Sequence, residues 1–303
     1  MSGLGRCSDV LDDTTVAQLK GGSEDDVKCV WSSNRELRVQ LSYATAAARS
    51  ISDPRGFEAN CPLFEWPTIP HPCGVGGHQA TVDALEALVT EHGAEALYGL
   101  VLEVVGERSG VTLEGEGAVA VAEACARLDV PLVLVETATG MYRAGAGAWG
   151  VDSLPPEVVP DMVLWSAGGQ LGHVFVGDKY WVDKPLTLIS TWDGDELCVI
   201  RTHEALRTAW RLDLGPAIAA LGTLVEEVAM RLGGCAGGRG LYRTIALPDQ
   251  WGDAFGEALA EEGISAKRGL PTVWTLCPPL DITVEDIDTK VRPALMRAAV
   301  SLL

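Results

Sequence analysis

The sequence is short of positive charge: its 303 residues hold 23 lysines and arginines against 42 aspartates and glutamates, a formal charge of −19. A surface of that sign repels phosphate backbones and anionic lipid, which argues against nucleic-acid or membrane partners. Lysine is especially scarce. Lys20, Lys28, Lys184, Lys267 and Lys290 sit in polar contexts suited to solvated side chains, and Lys179 completes the set. No two cysteines have CxxC spacing. Cys7, Cys29, Cys61, Cys73, Cys125, Cys198, Cys235 and Cys277 are scattered, as suits reduced, mostly buried thiols rather than a disulfide framework. No apolar run approaches the length a bilayer requires, and MSGLGRCSDVLDDTTVAQ has neither the basic nor the apolar region of a leader. A cytoplasmic chain is the expectation.

What is present is ample apolar content, 47% hydrophobic residues, enough for one large α/β domain and a smaller one. A short helix is predicted around Thr14–Lys20. The run CPLFEWPTIPHPCGVGG (61–77), with four prolines and three glycines, must be an irregular connection. After it the pattern alternates. Val82, Leu85, Leu88 and Val89 fall at helical spacing before Gly93, Leu97–Val105 reads as a buried strand, and Gly117–Leu128 is an alanine-rich helix. Pro131–Val135, Met162–Trp165 and Val174–Val176 are further strands. This rhythm predicts a mostly parallel sheet flanked by helices.

Beyond Trp192 the chain turns helix-rich. Leu197, Ile200, Leu206 and Trp210 mark one helix face, Ala217–Leu232 is a second helix, and GGCAGGRG breaks it. Leu241–Leu247 and Thr272–Leu276 read as strands, Ala254–Glu262 as a helix. A final helix carries the stripe Val284, Ile287, Val291, Leu295, Ala298 and Leu302. The expected organisation is an N-terminal segment 1–26, a large α/β domain 27–192 and a small α+β domain 193–303.

Six segments in register resemble class III (fold-type I) aminotransferases, nearest the lysine 6-aminotransferase branch. LYGLVLEVVGERSGV (97–111) is similar to the family's glutamate-bearing strand and glycine turn, with Glu103 at the matching glutamate. VPLVLVETATGMYRAG (130–145) resembles the strand ending in D-E-V-Q-T-G-x-G-R-T-G. VPDMVLWSAGGQLGHVFVG (159–177) resembles the strand and loop that carry the Schiff-base lysine, and LISTWDGDEL (188–197) the S-T-W-G-G-N segment. GGRGLYRTIALP (237–248) and TLCPPLDITVEDID (275–288) resemble the small domain's glycine turn and its R-x-x-P-P-L region. FEWPTIPHP (64–72) is similar to the family's proline-rich run.

Pyridoxal phosphate (PLP) chemistry requires an amine to hold the cofactor and a carboxylate beside the pyridine nitrogen. By the resemblance, the lysine falls at Ala167 or Gly168, the carboxylate at Val135 and the glutamine at Ala138. The aromatic stacking pair falls near Ser33–Asn34, and the carboxylate-binding arginine at Thr275. Glu136, one residue along the strand from Val135, points to the opposite face. The resemblance also implies a chain that begins after the family's N-terminal arm and phosphate loop. The expectation is an aminotransferase fold without PLP or any other cofactor, and without a working transaminase.

Glu103, Thr139, Ser190, Thr191 and Trp192 persist at site-lining places, while Trp165, Gln170, His173, Asp193 and Asp195 enter where the family has small residues or cofactor ligands. They either build an apolar-walled pocket with convergent polar groups or fill the space PLP vacated. The candidate acids and bases are Glu103, Glu136 and His173. The candidate substrate contacts are Trp165, Gln170, Thr191, Trp192, Asp193 and Thr139. His71, Cys73 and His78 lack a fourth zinc ligand of usual spacing, so no metal is expected, and turn geometry accounts for Gly74, Gly76 and Gly77. Two functions compete. One is PLP-independent cyclisation, dehydration or condensation of a small metabolite in a biosynthetic pathway. The other is non-catalytic: a partner or regulatory subunit of a true aminotransferase, or a metabolite-binding protein. Because the family builds its sites across a dimer interface, the resemblance implies a homodimer or a heterodimer with an aminotransferase.

Overall fold

The computed structural model describes residues 28–32, 66–74, 76–145, 147–166, 172–185, 187 and 195–303. The helix predicted at Thr14–Lys20 lies outside them. Two compact units divide the chain. The first takes residues 1–104, 113–138 and 154–204; the second takes 105–112, 139–153 and 205–303. Two segments that the sequence pattern set in the large domain, 105–112 and 139–153, therefore group with the C-terminal part.

The first unit is built on a six-stranded sheet. β1 (Lys28–Ser32), β2 (Thr68–Ile69), β3 (Leu97–Glu103), β4 (Leu132–Glu136), β5 (Met162–Ser166) and β6 (Gly172–Val176) are ordered β2-β1-β3-β4-β5-β6. All pairs are parallel except β5–β6. The exception has a simple cause: only residues 167–171 separate β5 from β6, too few for the crossover that a parallel pair requires. Every residue of β3 and β4 is buried, which is why both read as continuous apolar runs. Helix α1 (Gly77–His92) buries Thr81, Val82 and Leu85. It ends at Gly93, whose φ of 82° an L side chain rarely adopts and whose N–H bonds to Val89 O at 2.8 Å. Helix α2 (Gly115–Leu128) buries Ala118, Val121, Ala122, Ala124 and Cys125.

Helix α3 (Glu196–Ala209) forms where the pattern predicts it, with a different face inward. Leu197, Ile200 and Trp210 are 62%, 57% and 80% exposed, while Cys198, Thr202 and Ala209 are buried at helical spacing. The smaller side chains pack because they permit close approach, so an apolar stripe here is not the inward one.

The second unit carries the antiparallel sheet β7 (Cys235–Arg239), β8 (Tyr242–Ala246), β9 (Lys267–Arg268) and β10 (Val273–Leu276), ordered β7-β8-β10-β9. One face packs on α4 (Gly215–Arg231), α5 (Gly252–Glu261) and the terminal helix, with Leu221, Leu224, Val228, Ile245, Phe255, Leu276 and Leu295 in one apolar core. The terminal helix is α6 (Val284–Asp286), a π-helical turn (Ile287–Val291) and α7 (Arg292–Val300). Thr283 and Asp286 form a capping box at its start, so the predicted helix begins at a defined residue.

Candidate functional site

Strand register decides which candidates meet. Side chains of paired residues share a face, and successive residues alternate. Glu103 pairs with Val135, whereas Glu136 pairs with Trp165 and Trp165 with His173. Glu136, Trp165 and His173 therefore form one row, and Glu103 lies with Val135 on the opposite face. The three acid/base candidates are split two and one. Glu136 and His173 stand two strands apart, about 10 Å, with the indole between them.

Within the row, Trp165 is 1% exposed and Glu136 is fully buried. The Trp165 and His173 rings lie 5.2 Å apart and tilted by 55°, and Phe175, two residues along β6, stacks on His173 at 6.1 Å. His173 Nε2 is buried without a hydrogen-bond partner. Desolvation lowers the imidazole pKa, so the ring is neutral near neutral pH. The imidazole resonances of His173 are accordingly expected to titrate below the ordinary histidine range. A midpoint at or above that range would mean that a carboxylate faces the ring.

Val135, where the resemblance puts the ring-nitrogen carboxylate, is 1% exposed among the apolar residues of β3, β4 and β5. Lys179 pairs with Asp129, Lys290 with Asp286 and Lys267 with Glu107, each with an exposed ammonium; Lys184 is exposed as well. This donor set does not suit PLP, since no described lysine enters the β4–β5–β6 row and no acid occupies the Val135 position.

The other candidates disperse. Thr139 is buried in the second unit, its carbonyl accepting from Ala144 N at 3.1 Å. Gln170, Thr191, Trp192 and Asp193 lie outside the described residues, as do Ser190, Ser33–Asn34 and the Ala167–Gly168 position. Asp195 accepts from Cys198 N at 2.9 Å, a bond that caps α3 and lowers the acid's pKa. His71 is 5% exposed, and its Nδ1 accepts from Cys73 N at 3.1 Å. The described residues hold no group of three His, Cys, Asp or Glu placed to bind a metal.

Sequence reasoning passed over Arg143 and Cys277. Arg143 Nη1 donates to Cys277 Sγ and to Pro278 O, both at 3.1 Å, while its own carbonyl accepts from Leu241 N and Tyr242 N at 2.8 and 3.2 Å. Both residues stand inside runs quoted for the resemblance, but nothing in either run announces that they touch.

A buried parallel sheet closed by one antiparallel strand, beside an antiparallel α/β unit, is the fold-type I aminotransferase architecture. A taurine:2-oxoglutarate aminotransferase from Bifidobacterium kashiwanohense matches it with a TM-score of 0.77 at 19% identity, over 95% of this chain and 71% of that one. An (S)-selective omega-transaminase from Thermomicrobium roseum matches with a TM-score of 0.73 at 22% identity, over 96% and 71%. In sequence, the chain is 30% identical over 222 residues to ornithine aminotransferase 2 of Staphylococcus aureus, covering 68% of this chain and 53% of that protein. It is 31% identical over 228 residues to the acetylornithine aminotransferase of Mycobacterium bovis, covering 72% and 56%. The chain belongs to the class III, fold-type I aminotransferase-like family. It spans about half the length of these curated relatives. No family model matches it. No helix among the described residues is long and apolar enough to cross a membrane.

Proposed function

We propose that the chain is an aminotransferase-fold protein of the cytoplasm, near the lysine 6-aminotransferase branch, that works without PLP and performs acid/base chemistry on a small metabolite. The observation that carries this reading is the row across β4, β5 and β6: an acid at Glu136 and a neutral imidazole at His173 flank Trp165, while Val135 holds the place of the ring-nitrogen acid. A neutral imidazole can accept a proton that a carboxylic acid on the same face returns, which is the division of labour that cyclisation or dehydration requires. The names of the relatives point to ordinary transamination, so the cofactor is the first thing to test. After incubation with PLP and borohydride reduction, mass spectrometry is expected to find no pyridoxyl group on any lysine; a modified lysine overturns the reading. For an identified metabolite, Glu136→Gln and His173→Ala are each expected to lower turnover at least about a hundredfold. Unchanged turnover in both removes the acid/base assignment.

A second reading, a non-catalytic partner of a true aminotransferase, draws on the burial of Trp165, which fills the gap between the two groups. Copurification with a longer aminotransferase supports it, whereas a homodimer that turns over a metabolite by itself opposes it.

A further inference from the structure

In the second unit, the face of the β7–β10 sheet turned away from the apolar core carries an uncompensated cation. Register puts Gly237, Thr244, Thr275 and Lys267 in one row on that face, while the neighbouring Ile245 and Leu276 enter the core. Lys267 is neutralised by Glu107 and Arg268 by Asp253. Arg143 is different. It is half-buried and tethered through Nη1 to Cys277 Sγ and Pro278 O, and among the described residues no carboxylate pairs with it. In a chain of charge −19 this is a cation held in place with an open side: a guanidinium has five N–H donors, and Nη1 accounts for at most two.

A second, independent feature lies two residues before Cys277. The hydroxyl of Thr275 is on a residue only 3% exposed, and its Oγ1 has no hydrogen-bond partner. A buried donor without an acceptor costs free energy that an incoming oxygen ligand relieves. The charge of Lys267 also reaches Cys277: burial pushes that thiol's pKa up, and Arg143 and Lys267 both act to lower it. Two cations, an exposed thiol and an orphan hydroxyl thus converge at the end of β10.

We propose that Arg143, with Cys277 and the Thr275 hydroxyl beside it on β10, forms a subsite for a small oxyanion, a carboxylate or a phosphate group. The planar guanidinium offers its remaining donors as a fork that suits either anion, and the thiol marks the edge of the subsite. This lies in a different unit from the Glu136–Trp165–His173 row and does not depend on it.

The thiol makes the test direct. Iodoacetate and iodoacetamide alkylate by the same displacement, with sulfur bonding to the methylene carbon as iodide leaves, but only iodoacetate carries a carboxylate. Peptide mass spectrometry of the intact chain reads Cys277 beside Cys235, which is also exposed and serves as internal control. The iodoacetate-to-iodoacetamide rate ratio is expected to be higher at Cys277 than at Cys235 by about fivefold, the strength of one partly exposed charge pair. Arg143→Gln should abolish the excess and Arg143→Lys should retain part of it. A variant that merely unfolds raises both rates alike and leaves the lysine variant to decide. Protection of Cys277 by succinate, beyond that of chloride at matched ionic strength, identifies a carboxylate subsite; protection by inorganic phosphate alone identifies a phosphate one. Equal ratios at the two cysteines, or protection by neither anion, overturns the proposal.

Discussion

Lowering the pH from 7 to 4 is expected to cost the native state about 3 kcal/mol through His71 alone. The side chain is 5% exposed, and desolvation lowers its pKa from 6.5 to about 4. In the native state Nδ1 accepts from Cys73 N at 3.1 Å, a bond that a protonated ring nitrogen cannot accept. The unfolded chain therefore takes up the proton first. The contribution is complete above 6.5, shrinks as the pH falls, and is gone below about 4. This run of chain has little room to relax: Thr81 Oγ1 donates to Pro70 O at 2.9 Å, and a methyl group on Gly117 of α2 would lie 3.5 Å from Pro72 O. Urea denaturation of the wild type and of His71→Asn, whose amide oxygen can take over the acceptor role, isolates the effect. The difference between the two proteins is expected to close between pH 6.5 and 4; parallel curves would show that His71 is not the titrating group. Carboxylates titrate in both proteins and cancel in the comparison.

The sequence pattern made the architecture legible because each signal was redundant. β3 and β4 are apolar at every position, so an error of two residues at an end, such as the strand predicted to reach Val105 and ending at Glu103, leaves the sheet intact. Sites have no such tolerance. Alternation alone placed Glu136 opposite Val135. Relating it to Glu103 and His173 required the register between strands, which tertiary packing sets and single-strand patterns do not encode. Arg143 and Cys277 lie 134 positions apart in the chain, beyond the reach of any spacing argument. His71 illustrates a third kind of gap: its residue type suggested metal binding, whereas burial makes it a neutral hydrogen-bond acceptor. The exposed apolar face of α3 is a fourth, for a helical stripe specifies a face without specifying what covers it.

Gly110→Ala is expected to destabilise the second unit by about 3 kcal/mol, the sum of a backbone term and an overpacking term. Gly110 has φ of 70°, a conformation that alanine adopts only with strain, and an added Cβ would fall 1.9 Å from Thr244 Oγ1 and 2.7 Å from its Cγ2. Thr244 is 1% exposed and cannot turn both branches away. The loop cannot lift without breaking bonds, because Gly110 O accepts from Gly238 N at 2.7 Å and Gly110 N donates to Gly106 O at 2.8 Å. A double-mutant cycle separates the two terms: in a Thr244→Ala background the steric part disappears, so the glycine substitution should cost only about 1 kcal/mol, the backbone strain. An undiminished cost in that background would place the whole effect in the backbone, and a negligible cost in the wild type would mean that the loop shifts freely. The same loop holds Glu107 against Lys267 and receives Arg108 Nε on Gly269 O at 2.9 Å, so it braces the strand that faces Thr275. Loosening it should raise alkylation of Cys277 by iodoacetate and iodoacetamide equally, whereas removing the Arg143 charge should change their ratio. That contrast distinguishes a scaffold residue from a binding one within a single unit.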